Sequence, residues 1–256
     1  MIKTKSAILF KLKSNLKLIK LEIPDLKEGQ VLVKLKFTSI CRSQIMEIDG
    51  KRGVNKWLPH QLGHEGSGIV VGIGSKVKYF KLKDNVIITW IKTEGINTSG
   101  AVYKYKNKII NSGSSTSFSS YAIISENRLI KKPDYLTFRE ACYFGCAIPT
   151  GAGMVIKEQG IKQKSNILVI GLGGIGLSVL MCLKLKGYKS IDVFDTNRIK
   201  LNKLKRSKFL KNVNFYSKST DLKLNKYDLV FESAGLIKTI ELGFKILNNN
   251  GKLIFA

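Results

Sequence analysis

Six residues in the second half of the chain constrain its fold more than any other stretch: Gly171-Leu172-Gly173-Gly174-Ile175-Gly176. They follow an apolar run at 166–171 (NILVIG) and open a segment, 177–186, whose apolar residues have helical spacing and which ends at Gly187. A second apolar run, 190–195 (SIDVFD), ends on Asp195, 24 residues beyond Gly171. A G-x-G-x-x-G loop between a strand and a helix, with an acid at the end of the next strand, is the pattern of a dinucleotide-binding β–α–β unit. Gly171 permits the tight turn, Gly173 lets the backbone approach a pyrophosphate, and Gly176 lets helix and strand pack closely. Gly174 completes the loop where helix N–H groups face the phosphates. Asp195 would accept hydrogen bonds from a ribose and repel a 2′-phosphate, which favours NAD over NADP. Arg198 and Lys200 soften that preference, because cations there favour a phosphate. The competing reading is a glycine-rich turn with no ligand.

The surroundings extend this unit. Helices are expected over 138–147, 150–158 and 198–208, and further strands over 227–232 and 252–256. Strands alternating with helices imply a parallel sheet. Residues 1–140 differ: 6–13, 31–40, 68–74 and 84–90 read as short strands punctuated by Gly, Pro, Asn and Asp. Segment 92–117 is rich in Gly, Ser, Thr, Asn and Lys, with a small hairpin strand at 102–110. The expected fold is α/β, with an N-terminal all-β barrel-like domain (1–140) and a C-terminal Rossmann, doubly wound parallel sheet (141–256) left incomplete after its fifth strand.

Composition excludes several classes. No run approaches ~18 uninterrupted apolar residues, so no spanning helix is expected, and the N-terminus reads as a strand, not a signal peptide. The net charge of +26 invites a nucleic-acid reading. The excess is dispersed, however: +14 over 1–144 and +12 over 145–256, with only six Arg among 44 basic residues. The dense run at 198–211, seven basic residues and no acid, reads as a solvated helix face. We therefore expect no specific nucleic-acid partner and no membrane. The four cysteines, Cys41, Cys142, Cys146 and Cys182, form no disulfide pattern, and a reducing cytoplasm is the default.

His64 lies in Gly63-His64-Glu65-Gly66, Cys41 follows the 31–40 strand, and Cys146 sits where the β half meets the α/β half. Two thiolates and an imidazole with an open fourth position make a catalytic kind of zinc site. Spacing alone leaves the alternative open, that these are ordinary core residues.

The order of motifs resembles the zinc-containing medium-chain alcohol dehydrogenases. The resembling pieces are Ile40-Cys41-Arg42-Ser43, Leu62-Gly63-His64-Glu65-Gly66-Ser67-Gly68, Asp84-Asn85-Val86-Ile87, Phe118-Ser119-Ser120-Tyr121-Ala122, Gly145-Cys146-Ala147-Ile148-Pro149-Thr150-Gly151 and the glycine loop. The resemblance implies a chaperonin-like barrel joined to a Rossmann domain, with zinc and an alcohol or carbonyl substrate in the cleft. It implies Cys41, His64 and Cys146 as metal ligands, Glu65 as the acid behind the metal, and Ser43 as the hydroxyl that takes the substrate's proton. Arg42 and Thr150 would contact the cofactor, and Asp195 and Lys200 would hold its adenosine ribose.

Three departures from the family pattern shape the expectation. Residues 84–141 contain no Cys, so one catalytic zinc and no structural zinc are expected. Met46 stands where relatives with a full proton relay carry a His, and His60 reads as a loop residue. Family members continue for roughly 90 residues beyond Ala256, on a domain of ~100–200 residues, so the chain reads as a fragment or a shortened form. The family suggests a homo-oligomer, but its usual dimer edge is missing here. The leading expectation is a zinc-dependent oxidoreductase passing a hydride between an alcohol, polyol or sugar alcohol and NAD. The alternative is a degenerate or fragmentary NAD-binding protein without turnover.

Overall fold

Short runs of β-branched residues broken by turn formers give the first half its strands. In the computed structural model, which describes residues 2–158, 160 and 162–256, these are β1 (Lys3–Leu9), β2 (Lys17–Glu22) and β3 (Gln30–Thr38), then helix α1 (Arg42–Ile48). There follow β4 (His60–Gln61), β5 (Gly66–Ile73), β6 (Asn85–Ile88), β7 (Val102–Tyr105), β8 (Lys108–Asn111), β9 (Tyr121–Ser125), β10 (Leu129–Lys131) and helix α2 (Phe138–Ala141). The strands form two five-stranded sheets, ordered β2-β1-β4-β8-β7 and β10-β6-β5-β3-β9. Side chains alternate along β3 and β9, so each buries both faces. Val31, Val33, Ala122 and Ile124 join one core with Val70, Val86 and Ile88. Leu32 and Ile123 join another with Ile8, Leu21, Tyr103 and Ile110.

Local chemistry moves some boundaries. β1 ends at Leu9 rather than running to residue 13, because Ser14 Oγ donates to Lys11 O (2.7 Å) and Lys13 turns at φ 56°. The strand expected over 102–110 is two strands, reversed at Lys106 (φ 51°) and paired antiparallel, with Tyr105 opposite Lys108. The helix expected over 138–147 keeps α geometry only through Ala141, under a capping box of Thr137 and Glu140, and then tightens to a 3-10 turn over Cys142–Gly145.

Segment 92–117 is held by polar groups. Glu126, fully buried, accepts Lys78 N (2.6 Å), Tyr79 N (2.9 Å) and Ile96 N (2.9 Å). Ser125 Oγ accepts Thr98 N (2.9 Å), and Gln30 Nε2 donates to Ser99 O (3.2 Å).

Contacts divide the chain into Met1–Cys146 and Ala147–Ala256. The second unit runs α3 (Ala147–Lys157), β11 (Ile167–Ile170), α4 (Gly174–Leu185), β12 (Ile191–Phe194), α5 (Arg198–Lys205), β13 (Val213–Tyr216), β14 (Tyr227–Glu232), α6 (Ile237–Ile246) and β15 (Leu247–Phe255). Its sheet is wholly parallel, ordered β13-β12-β11-β14-β15. Within the unit this is strand order 3-2-1-4-5, that of a Rossmann sheet, with the reversal between β11 and β14. The central strand β11 (ILVI) is an unbroken apolar run because both its faces are covered. Ile167, Val169, Val193 and Phe231 pack with Val179 and Leu183 of α4. Leu168, Ile170, Phe194 and Val230 pack on the other face with Ile246 of α6. Among the described residues no helix is long and apolar enough to cross a membrane.

Candidate metal and dinucleotide sites

Three separate turns carry the first group. Cys41 is the N-cap of α1, three residues after the end of β3. His64 and Glu65 lie in the loop joining β4 to β5. That loop turns at Gly63 (φ +93°), where a Cβ would lie 2.5 Å from Ser117 Oγ and 2.6 Å from the Phe118 ring. Cys146 follows the 3-10 turn, whose Gly145 O accepts Thr89 Oγ1 (2.8 Å) from the end of β6. Thr38 Oγ1 (2.8 Å) and Ser117 Oγ (2.9 Å) both donate to Glu65 O and fix the other side.

One ligand atom from each of Cys41, His64, Glu65 and Cys146 lies within 4.8 Å of all the others, and among the described residues they form the one group of three or more His, Cys, Asp or Glu so arranged. The two sulfurs are 4.0 Å apart. His64 Nε2 and Ser43 Oγ are buried, and neither closes an aligned hydrogen bond. Both nevertheless lie near enough to the Cys41 sulfur to favour its thiolate. The Cys41 thiol falls to about 3, drawn down by Cys146, then by the His64 imidazole, against burial, with Ser43 helping. The ordinary thiol value is ~8.5. Two sulfurs, one buried imidazole nitrogen beside them and a buried carboxylate are a donor set that fits zinc. Cys142 stays outside this group: burial pushes its thiol up, and the negative charge of Glu65 adds to that.

Met46 is partly exposed on α1. His60 is held elsewhere, with Nε2 3.0 Å from Glu47 Oε1 and Nδ1 3.1 Å from Gln61 O. Arg42 opens α1 with its side chain exposed.

In the second unit the glycine loop joins β11 to α4. Gly171 has φ +81°, and a Cβ on Gly176 would collide with Gly171 O and with Ser233 Oγ at 2.5 Å. A Cβ on Gly173 would meet nothing within 4 Å, which leaves an open cradle at the N-cap of α4. Asp195 Oδ2 accepts Leu172 N (2.8 Å) from that loop and Lys200 Nζ (2.7 Å), and Oδ1 accepts Asn197 N (2.8 Å). The carboxylate therefore already holds the loop, and Lys200 neutralises part of its charge. Burial pushes this carboxyl up, but Lys200 and the N–H groups of Asn197 and Leu172 outweigh it and hold it below the ordinary range. Thr150 lies in α3, with Oγ1 buried and unpartnered among the described residues.

Two buried polar residues that the sequence did not single out hold the first unit together, Gln44 at the metal loop and Glu126 away from it. Gln44, buried on α1, spans His64 Nδ1 and Gly63 N. Its only sequence signal is its place three residues after Cys41. Glu126 gave none, being one acid in an ordinary polar stretch.

Comparison with known proteins gives a consistent result. Residues 27–134 match the family model described as alcohol dehydrogenase GroES-like domain. The chain is 31% identical over 228 residues to alcohol dehydrogenase 6 of Peromyscus maniculatus, covering 80% of this chain and 60% of that protein. It is 27% identical over 230 residues to S-(hydroxymethyl)glutathione dehydrogenase of Synechocystis, covering 80% and 62%. The chain thus spans about 60% of the length of such relatives. Among solved structures it is similar to benzyl alcohol dehydrogenase of Acinetobacter calcoaceticus, with TM-score 0.80, 26% identity, and coverage of 100% of this chain and 77% of that one. An alcohol dehydrogenase zinc-binding domain protein of Burkholderia ambifaria gives TM-score 0.85 at 23% identity, covering 99% and 76%, a likeness of fold.

Proposed function

We propose that this chain is a member of the zinc-containing medium-chain alcohol dehydrogenase family, a reading supported by the GroES-like domain match and by its likeness to alcohol dehydrogenase 6 and benzyl alcohol dehydrogenase, and that it transfers a hydride between an alcohol, polyol or sugar alcohol and NAD at a single zinc. The observation that carries this reading is the meeting of Cys41, His64, Glu65 and Cys146, with His64 Nε2 buried beside the Cys41 sulfur. Cys41, His64 and Cys146 would hold the zinc, and the buried carboxylate of Glu65 would approach it. When bound, zinc supplies the Lewis acidity that makes an alcohol a stronger acid, and NAD supplies the hydride acceptor.

The residues of this chain do the rest. Ser43 Oγ, beside Cys41 and without an aligned partner, takes the proton released by the alcohol. Met46 can accept no proton, so Ser43 would hand that proton on to water. Gly171, Gly173, Gly174 and Gly176 present backbone N–H groups to a pyrophosphate, and Asp195 with Lys200 sets the adenosine end. Arg42 and Thr150 enter as cofactor contacts on the resemblance alone. We place the protein in the cytoplasm, acting on a small molecule, with no structural zinc.

The test is NADH formation by the purified chain, supplied with zinc and NAD, against a panel of primary, secondary and polyhydric alcohols. Alcohol-dependent turnover is expected to vanish on chelation. In Ser43→Ala it should fall by about 10²–10⁴-fold, with zinc content retained. Turnover that survives Cys146→Ser would overturn the proposal. So would a chain that binds zinc and NAD yet turns over no alcohol, which is the behaviour of the non-catalytic alternative.

A further inference from the structure

Gln44 is 5% exposed and joins two parts of the metal loop. Its Oε1 accepts the Gly63 N–H, and its Nε2 lies 3.0 Å from His64 Nδ1. A backbone N–H can only donate, so the amide end facing Gly63 is the oxygen. The end facing His64 is therefore the NH₂ group, which also only donates. A neutral imidazole has one N–H and one acceptor nitrogen. Nδ1 must accept from Gln44, and the ring proton sits on Nε2, the buried atom that meets no aligned partner.

We propose that Gln44 is a positioning residue that fixes the tautomer of His64 and thereby limits the zinc affinity of the cluster. This rests on the zinc reading above. A metal bound at Nε2 needs that atom's lone pair, so the ring proton must move to Nδ1. There it faces the Gln44 NH₂, donor against donor. Turning the amide over satisfies Nδ1–H but sets the NH₂ against the Gly63 N–H. Either arrangement leaves one buried donor without an acceptor. Imidazole ligands ordinarily donate their second N–H to a carboxylate, carbonyl or water, and such partners carry about 10–100-fold in metal affinity. A carboxylate at position 44 accepts from Nδ1–H and from Gly63 N–H at once.

Two measurements on the full chain test this. The first is nitrogen-15 NMR of histidine-labelled, metal-free protein; the chain has only two histidines, and His60→Gln assigns the signals. The proposal requires a protonated Nε2 and an accepting Nδ1 on His64, exchanging to the Nδ1–H form as zinc is added. A metal-free His64 protonated on Nδ1 overturns it. The second is zinc affinity by competition with a chromogenic chelator. Gln44→Glu is expected to bind about 10–100-fold more tightly than wild type. A folded Gln44→Glu chain binding no more tightly than wild type also overturns it. Wild-type protein that takes up no zinc overturns the proposed function instead, while the metal-free tautomer still decides the role of Gln44.

Discussion

The sulfurs of Cys41 and Cys146 lie 4.0 Å apart although 105 residues separate them in the chain. Three anchors make that meeting. β3 delivers Cys41 to the start of α1, β6 delivers Thr89 to Gly145 O, and Gly145 packs where a Cβ would strike Ile88 O and Glu65. The Cys146 thiol donates to the Cys41 sulfur and favours its thiolate, with His64 and Ser43 adding to that pull against burial; a second thiolate at this distance would repel the first unless a cation lay between them.

Glu126 should prove to be the keystone of segment 92–117. Glu126→Ala leaves the N–H groups of Lys78, Tyr79 and Ile96 without their acceptor. The expected cost is about 1–3 kcal/mol, that of one unsatisfied donor, because Lys78 and Tyr79 are exposed residues and Ile96 is half-buried. Urea unfolding measures it. Zinc content per folded chain should not change, because this carboxylate holds backbone and not metal. A loss below ~1 kcal/mol would mean that water replaces the carboxylate.

How much of this was legible in the sequence follows from what each signal depends on. The run 166–171 with its glycines was readable because a strand buried on both faces must be continuously apolar, and because the close approach at Gly176 tolerates no side chain. β13 was missed: Val213–Tyr216 is only four residues long and just Val213 is buried, followed by exposed Asn214 and half-buried Phe215 and Tyr216. The hairpin at 102–111 was half-read, since Lys106-Asn107 lacks the glycine that usually marks a two-residue reversal. Cys41, His64 and Cys146 could be proposed as ligands on resemblance, but spacing alone said nothing of their meeting, which depends on strand register. Gln44 and Glu126 were invisible because a buried polar residue looks like any other polar residue until its partners are known.

Gly176→Ala should damage the nucleotide unit through packing alone. Its backbone is ordinary, but the added methyl would collide with Gly171 O and Ser233 Oγ. We expect a loss of about 1–3 kcal/mol, the usual cost of forcing extra atoms into a packed site, and weakened NAD binding. Calorimetric titration with NAD and thermal unfolding check both effects. Unchanged values would show that β11 and α4 separate more easily than their packing indicates.

Asp195 links cofactor choice to pH. Asp195→Gly removes the ribose acceptor, the charge that repels a 2′-phosphate and the anchor of Leu172 N. NAD affinity should fall about tenfold or more, since hydrogen bonds to a charged group contribute ~1.5–3 kcal/mol. Discrimination against NADP should relax. The folded carboxyl titrates below its unfolded value of ~3.9. Its stabilisation is therefore complete above about pH 4 and is lost as pH falls through the folded value. Asp195→Asn should flatten that acid limb in urea titrations run at successive pH values. If titrations find both cofactors bound as in wild type, Asp195 does not face the ribose.

Metal held by Cys41, His64 and Cys146 is the property on which the proposed chemistry depends, and zinc analysis with X-ray absorption on the purified chain measures it directly. The predicted result is one zinc per chain, with two sulfurs at ~2.3 Å and one imidazole nitrogen at ~2.0–2.1 Å in its shell, and its loss in Cys146→Ser while the fold persists. A zinc-replete preparation with no sulfur scatterers, or a Cys146→Ser chain that keeps its zinc with wild-type affinity, would contradict it.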